Sequence, residues 1–251
     1  MMRISIWGDT SESHLRRATQ LGVDCLDFGS GNYFPGVNEQ GYPDLDELVR
    51  IRRKIQSWGM DINRVTLPDI TDVFMKDQDG AEKELENTCQ ALRVFAEAGV
   101  PIARQRVAGA TFPGVMTRSQ SIHRGGYLSR GESLAMTRNP PPTPSTEELE
   151  FWWTRFCLLY EKLVPIAEET DIKLAMHPSD TPNAETPLGG LGFHRVIDAF
   201  PSPNVGYLYC CGTRAEAGGG PLIMDEIHNY GRKAVSYTHL RAHETDSYLV
   251  C

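Results

Sequence analysis

Short apolar runs and amphipathic stretches alternate along most of the chain. "RISIWG" (3–8) has the rhythm of a strand, and "SESHLRRATQLG" (11–22) has helical spacing that stops at Gly22. "VDCLDFG" (23–29) returns to strand character. "DLDELVRIRRKIQSWG" (44–59) predicts a helix: acidic residues come first, basic residues later and Gly59 closes it, the polarity a helix dipole favours. "MDINRVTLP" (60–68) is a third strand. "AEKELENTCQALRVFAEAG" (81–99) is the clearest helix, with Leu85, Cys89, Leu92, Val94, Phe95 and Ala98 along one stripe. A fourth strand, "VPIARQRV" (100–107), follows. "STEELEFWWTRFCLLYEKLVPIAEET" (145–170) opens on a capping box, Ser145 to Glu148, and runs on as a long amphipathic helix that Pro165 is expected to kink. The remaining pattern is a fifth strand (171–177), a helix (192–200), a sixth strand "NVGYLYCC" (204–211) and a helix (223–233).

Strands alternating with helices imply parallel strands joined by helical crossovers. A closed barrel and an open doubly wound sheet compete. "WGDTSES", after the first strand, is not a Gly-rich phosphate loop, which favours the barrel. The expected fold is therefore α/β, a (β/α)8 TIM barrel of which six to seven strands are present and strand eight is missing. A length of 251 residues suits it, since such barrels run to about 250 residues in one domain.

Residues 108–144 break the rhythm with a connection far longer than usual. It follows the fourth strand, so in a barrel it stands at the C-terminal, active-site face. Two readings stay open: a solvated insertion, or a lid whose arginines (Arg118, Arg124, Arg130 and Arg138, with His123 among them) clamp a carboxylate.

A net charge of −8 argues against a nucleic-acid or anionic-membrane partner but leaves an anionic small substrate open. No run of about 18 apolar residues is present, and "MMRISIWGDT" lacks the features of a signal peptide. Six cysteines (25, 89, 157, 210, 211 and 251) show no framework spacing and read as reduced thiols in the cytoplasm.

Chemistry in a parallel barrel collects where strands end. His177 closes the fifth predicted strand, and Cys210 and Cys211 close the sixth. Neighbouring strands are about 4.8 Å apart, which brings an imidazole and a thiolate within reach of one ion. Alternation lets only one of the two cysteines point inward. The opposing reading is a hydrogen-bonded structural histidine and an inert buried thiol. His194 and His228 fall in helical patterns and read as surface or core residues.

"VPIAEETDIKLAMHPSDTP", "GFHRVID" and "NVGYLYCCGT" together resemble the mannonate dehydratase family, over roughly residues 60–233 and most specifically over 145–233. The family's strand-five motif is His-Pro-Asp-Asp-Pro-Pro. Here it reads His177-Pro178-Ser179-Asp180-Thr181-Pro182, so two positions differ. The resemblance implies a xylose-isomerase-like TIM barrel that dehydrates D-mannonate to 2-keto-3-deoxy-D-gluconate, a step of hexuronate breakdown. It implies metal ligation by His177 and by Cys210, the latter because Cys211, Gly212 and Thr213 follow it in the family's register. Ligand softness alone suggests zinc; the family implies Mn2+ or Fe2+. Arg124, Arg130 and Asp180 are the expected contacts to a small sugar-acid substrate, and homo-oligomer formation is left open. The runner-up is a sugar or sugar-phosphate isomerase or epimerase of the same superfamily, whose members more often use carboxylate ligands.

"VSYTHLRAHETDSYLVC" (235–251) resembles a translated sequencing adapter, so the expected division is a barrel over 1–234 and a non-native tail over 235–251. Within it "YTHLR" (237–241) mimics a family strand-seven pattern, Tyr-Val-His-Phe-Arg, which places His239 near the register of a third metal ligand. The family's acid/base residues lie on later strands, so the catalytic residues stay unassigned and the chain is expected to be an inactive fragment.

Overall fold

Several helices start on short polar side chains that accept the first free amides. The computed structural model describes residues 3–107, 117–122, 126, 128–133, 145–177 and 192–238. In chain order these form β1 (Ser5–Trp7), α1 (Glu12–Gln20), β2 (Cys25–Asp27), α2 (Val37–Gln40), α3 (Leu45–Gln56), β3 (Asp61–Thr66), α4 (Asp72–Met75) and α5 (Ala81–Glu97). They continue as β4 (Ile102–Gln105), β5 (Thr117–Ile122), β6 (Leu128–Ser133), α6 (Thr146–Thr170), β7 (Lys173–Met176), α7 (Gly192–Ala199), β8 (Val205–Cys210), α8 (Cys211–Tyr230), a 3-10 turn (Gly231–Lys233) and β9 (Ala234–Thr238). Ser11 caps α1, Asp44 caps α3 and Ser145 closes a full capping box with Glu148 on α6. Gly59, just past α3, adopts φ 79°, a left-handed turn that a residue with a Cβ resists.

Seven strands form one parallel sheet in the order β1-β2-β3-β4-β7-β8-β9. Every neighbour is also the next sheet strand in sequence, with no reversal of direction across the sheet. That is the winding of a barrel; a doubly wound sheet reverses its order at a switch point. Among the described residues no eighth strand joins it. Most of the core lies between the outer face of the sheet and the helices. Leu26, Ile62, Val65, Ala103, Leu174, Met176, Val205 and Tyr207 meet Leu15, Leu48, Leu92, Phe95, Phe156 and Val196 there. Each such apolar side chain contributes about 1.5–3 kcal/mol on full burial. A second, small cluster, Ile102, Ala175 and Leu208 with Val235, lies on the inner face.

Four sequence expectations need correction. The long connection is not without structure: β5 and β6 pair antiparallel within it. His177 stands one residue beyond β7, which ends at Met176. Cys211 opens α8 instead of closing a strand, and that helix begins at Cys211, well before residue 223. Residues 235–238, expected in a tail, lie in β9 and pair with β8. Pro165 lies within α6, whose helical span runs across it.

Candidate active site at the strand ends

Register decides which side chains face the interior. Partners in a parallel ladder share a face, and successive residues alternate. Ile102, Ala175 and Leu208 mark the inner face. Leu174, Met176, Tyr207 and Tyr209 pack on the outer one. Continued alternation assigns Arg104 to the inner face of β4, with Arg106 beyond it, His177 beyond β7 and Cys210 at the end of β8. The ladder pairing agrees with this grouping: Thr66 pairs with Arg104 and Arg104 with Ala175, while Ala175 pairs with Gly206.

Met176 is paired with Tyr207, so His177 falls level with Leu208 and Cys210 lies two residues further along the neighbouring strand. The two are diagonal neighbours on one face, with Cα atoms about 8 Å apart by strand spacing and rise. An imidazole and a thiolate span that distance through one ion with bonds of about 2.0–2.3 Å. Cys210 is buried and in no disulfide; His177 is half-buried. A donor set of one imidazole nitrogen and one cysteine sulfur suits a divalent transition metal. It supplies part of a coordination shell: among the described residues no group of three or more His, Cys, Asp or Glu side chains is gathered to hold an ion.

The inner face holds charged residues that the reading from sequence missed. Asp27 of β2 accepts from Ser5 Oγ (3.2 Å), Asn63 Nδ2 (2.8 Å) and Arg64 (3.2 Å), forming a buried ion pair with the last. Arg106 donates through Nε to Asp69 Oδ1 at 2.7 Å and through its terminal nitrogen to Asp69 Oδ2, a fork gripping one carboxylate. The Ile70–Val107 bridge brings these two loops together. Arg104, half-buried, stands between Thr66 and Ala175. The alternation of Arg104 and Arg106 in "ARQRV" was the available signal, because residues two apart on a strand share a face. At the first strand, Trp7 is 63% exposed, and its ring lies where any Cβ on Gly29 would stand. Only glycine permits that approach.

Behind Cys210, α8 is anchored by a buried cluster. Arg214 donates to Glu226 at 2.5, 2.9 and 3.0 Å, with both side chains inaccessible. His194 Nε2 lies 3.4 Å from the same carboxylate, and its ring stacks on Tyr230 at 4.1 Å. Burial pushes the Glu226 carboxyl up, but the hydrogen bonds and charges of His194 and Arg214 outweigh it and hold the group below its ordinary range. In a straight helix residues 214 and 226 would be about 18 Å apart along the axis, beyond the combined reach of the two side chains. The backbone of α8 must bend between them, and Gly218, Gly219, Gly220 and Pro221 are placed to allow it.

Of the other expected site residues, Arg130 lies on β6, opposite Gln120. Arg124, Asp180 and His239 lie outside the described residues. His194, read from its helical position as a surface or core residue, is half-buried beside Glu226, and His228 lies exposed on α8.

With this geometry in view, a model of the family described as D-mannonate dehydratase (UxuA) matches residues 145–248. The chain resembles the mannonate dehydratases. It is 20% identical over 234 residues to the mannonate dehydratase of Streptococcus equi subsp. zooepidemicus, covering 80% of this chain and 63% of that protein. To the mannonate dehydratase of Chromohalobacter salexigens it is 25% identical over 185 residues, 70% of this chain and 44% of that protein. The chain thus spans less than two thirds of the length of these relatives. Among solved structures, the mannonate dehydratase from Streptococcus suis serotype2 superposes with a TM-score of 0.74 at 17% identity, covering 94% of this chain and 72% of that one. The 3-keto-D-glucoside 4-epimerase YcjR from E. coli gives 0.61 at 13% identity, over 94% and 76%. These superpositions establish the barrel fold.

Proposed function

We propose that this chain carries the strand-end site of a metal-dependent hydro-lyase that dehydrates D-mannonate to 2-keto-3-deoxy-D-gluconate. The observation that supports it is the placement of His177 and Cys210 on one inner face at the ends of adjacent strands, in a chain that resembles mannonate dehydratases. His177 and Cys210 would hold Mn2+ or Fe2+, with His239 as a third ligand. When bound, such an ion supplies Lewis-acid stabilisation of negative charge developing beside the substrate carboxylate. The protein's own part is to hold the ligands apart from bulk water and to orient the sugar acid. Cys210 is buried, which shelters its sulfur from bulk water, and the bent α8 fixes the backbone that follows it. Arg124, Arg130 and Asp180 are assigned to the substrate. Within this reading the barrel has an insertion at 108–144 and continues through β9 (Ala234–Thr238), which takes residues 235–238 out of the expected tail. The protein is assigned to the cytoplasm, and no helix among the described residues is long and apolar enough to cross a membrane.

Metal content tests the assignment. The purified chain is stripped with chelator, reloaded with Mn2+ or Fe2+, and measured by mass spectrometry beside His177→Ala and Cys210→Ala. Bound metal should fall to background in both variants while melting of the metal-free forms stays close to that of the parent. Full occupancy in either variant removes that residue from the site.

A further inference from the structure

Trp7 is the last residue of β1, and its row in the ladder runs Trp7, Asp27, Arg64, Ile102 and Lys173. Ile102 belongs to the inner cluster, so Trp7 projects to the interior face. Side-chain contacts agree. Ser5, two residues before Trp7, donates to Asp27, and Asp27 meets Arg64; Ile6, between Ser5 and Trp7, packs on the outer core instead. The same row leaves the end of β1 and reaches the first residue of β7. That drift is the stagger of a tilted-strand barrel, about one residue per strand. Lys173 is four strands round from Trp7, so keeping the height of Trp7 along the barrel axis means advancing about four residues on β7, which arrives at His177. Half the circuit of an eight-stranded barrel separates the two, and they stand at one level on opposite walls. Trp7 is 63% exposed, whereas Trp58 and Trp153 are half-buried and Trp152 is buried. Its six-membered ring lies against Gly29, at which a Cβ would come within 1.8 Å of it. Gly29 follows Asp27 by two positions and shares its face, so the indole is folded inward across β2 and not off the edge of the sheet.

We propose that Trp7 is a stacking platform for the carbon chain of a polyhydroxylated ligand, whose C–H groups lie on the indole while its oxygens face the His177–Cys210 pair on the opposite wall. The assignment rests on the sugar-acid reading above and adds the residue that recognises the carbon chain, independently of the carboxylate. An indole suits the task because it offers a large, rigid apolar surface with few rotatable bonds to freeze. Asp27, in the same row, is offset by Arg64, so the ring presents its apolar surface beside a neutralised pair. Gly29 has a matching duty: by lacking a side chain it makes the space in which the indole lies.

Calorimetric titration of the 251-residue chain, with and without manganese, tests this. The probes are D-mannonate and D-mannitol, which has the same carbon chain without the carboxylate. Trp7→Ala should weaken binding about 5- to 20-fold, the value of a lost aromatic contact, and leave manganese content unchanged. Trp7→Phe, which keeps a smaller ring, should stay within about threefold of the parent. Gly29→Ala retains the indole but displaces it, and should weaken binding by about threefold or more. Acrylamide quenching of tryptophan fluorescence gives a readout on the unaltered chain. Trp7 is the exposed one of four tryptophans, so saturating ligand should lower the quenching. If the Ala variant does not fold, the quenching and Gly29→Ala decide. Binding within twofold of the parent in Trp7→Ala overturns the proposal, as does quenching that saturating ligand leaves unchanged, or a parent chain that binds neither probe. Should D-mannitol bind with Trp7 dependence while D-mannonate does not bind, the platform stands and the mannonate reading falls. D-Mannonate binding that ignores Trp7 has the opposite meaning.

Discussion

Removing one partner of the Arg214–Glu226 pair should be among the most damaging single changes outside the apolar core. Both side chains are inaccessible and meet through three contacts of 2.5–3.0 Å. Glu226→Gln removes the counter-charge and leaves a guanidinium buried. Two charges 4 Å apart at an effective dielectric near 20 interact by about 4 kcal/mol, and breaking one side of a buried pair costs about 3–5 kcal/mol. Against a total stability of about 5–15 kcal/mol, that is a large share. For a domain of this size it lowers Tm by about 6–20 °C. The assay is urea unfolding followed by tryptophan fluorescence, with Arg214→Met, Glu226→Gln and the double variant Arg214→Met/Glu226→Met. Each single change should lower stability by about 3–5 kcal/mol, and the double should cost far less than their sum, because no charge is then stranded. Since Arg214 lies one turn beyond Cys210, the singles should also loosen the start of α8 and weaken metal retention. Singles costing under about 1 kcal/mol, or a double equal to their sum, would show that the pair does not hold the bend of α8.

Two further outcomes follow from the described contacts. Burial raises the Asp61 carboxyl, but the Arg52 fork, the Ile62 amide and Gln56 outweigh it, so its folded value lies below the ordinary one. A depressed carboxylate stabilises the fold above its unfolded pKa of about 4 and loses that contribution as pH falls through the folded value; urea midpoints measured from pH 6 to pH 3 should drop less steeply for Asp61→Asn, and an equal drop would contradict this. Gln105 is fully buried on the outer face of β4, and among the described residues neither its Oε1 nor its Nε2 has a hydrogen-bond partner. Gln105→Met should therefore stabilise the fold by about 1–3 kcal/mol, read as a higher urea midpoint; destabilisation would indicate a polar partner such as a buried water.

Some of the site could be read without coordinates. His177 and the Cys210–Cys211 pair were recognisable as candidates because an imidazole and thiols stood at the ends of apolar runs that the chain order made neighbours; the choice of Cys210 over Cys211 rested on the resemblance to mannonate dehydratases. Arg64, Arg104 and Arg106 were not singled out. A strand pattern gives two faces but does not say which is interior, and that assignment came from the Ile102, Ala175 and Leu208 cluster. The start of α8 was also hidden, since "GTRAEAGGGP" carries glycine and proline, which local propensity counts against a helix. The contacts of Arg214 with Glu226, twelve positions away in sequence, override that preference.

By itself, then, the sequence determined the alternation of strand and helix, the capping box at Ser145, and the parallel, singly wound architecture, because all of these depend on periodicity and on side chains within a few residues of one another. Only the tertiary structure decided which arginines share a face with His177 and Cys210, that Asp27 and Asp69 are already committed, and that α8 folds back on its own buried ion pair. Those facts depend on ladder register and on distances between residues far apart in the chain, and no local pattern encodes them.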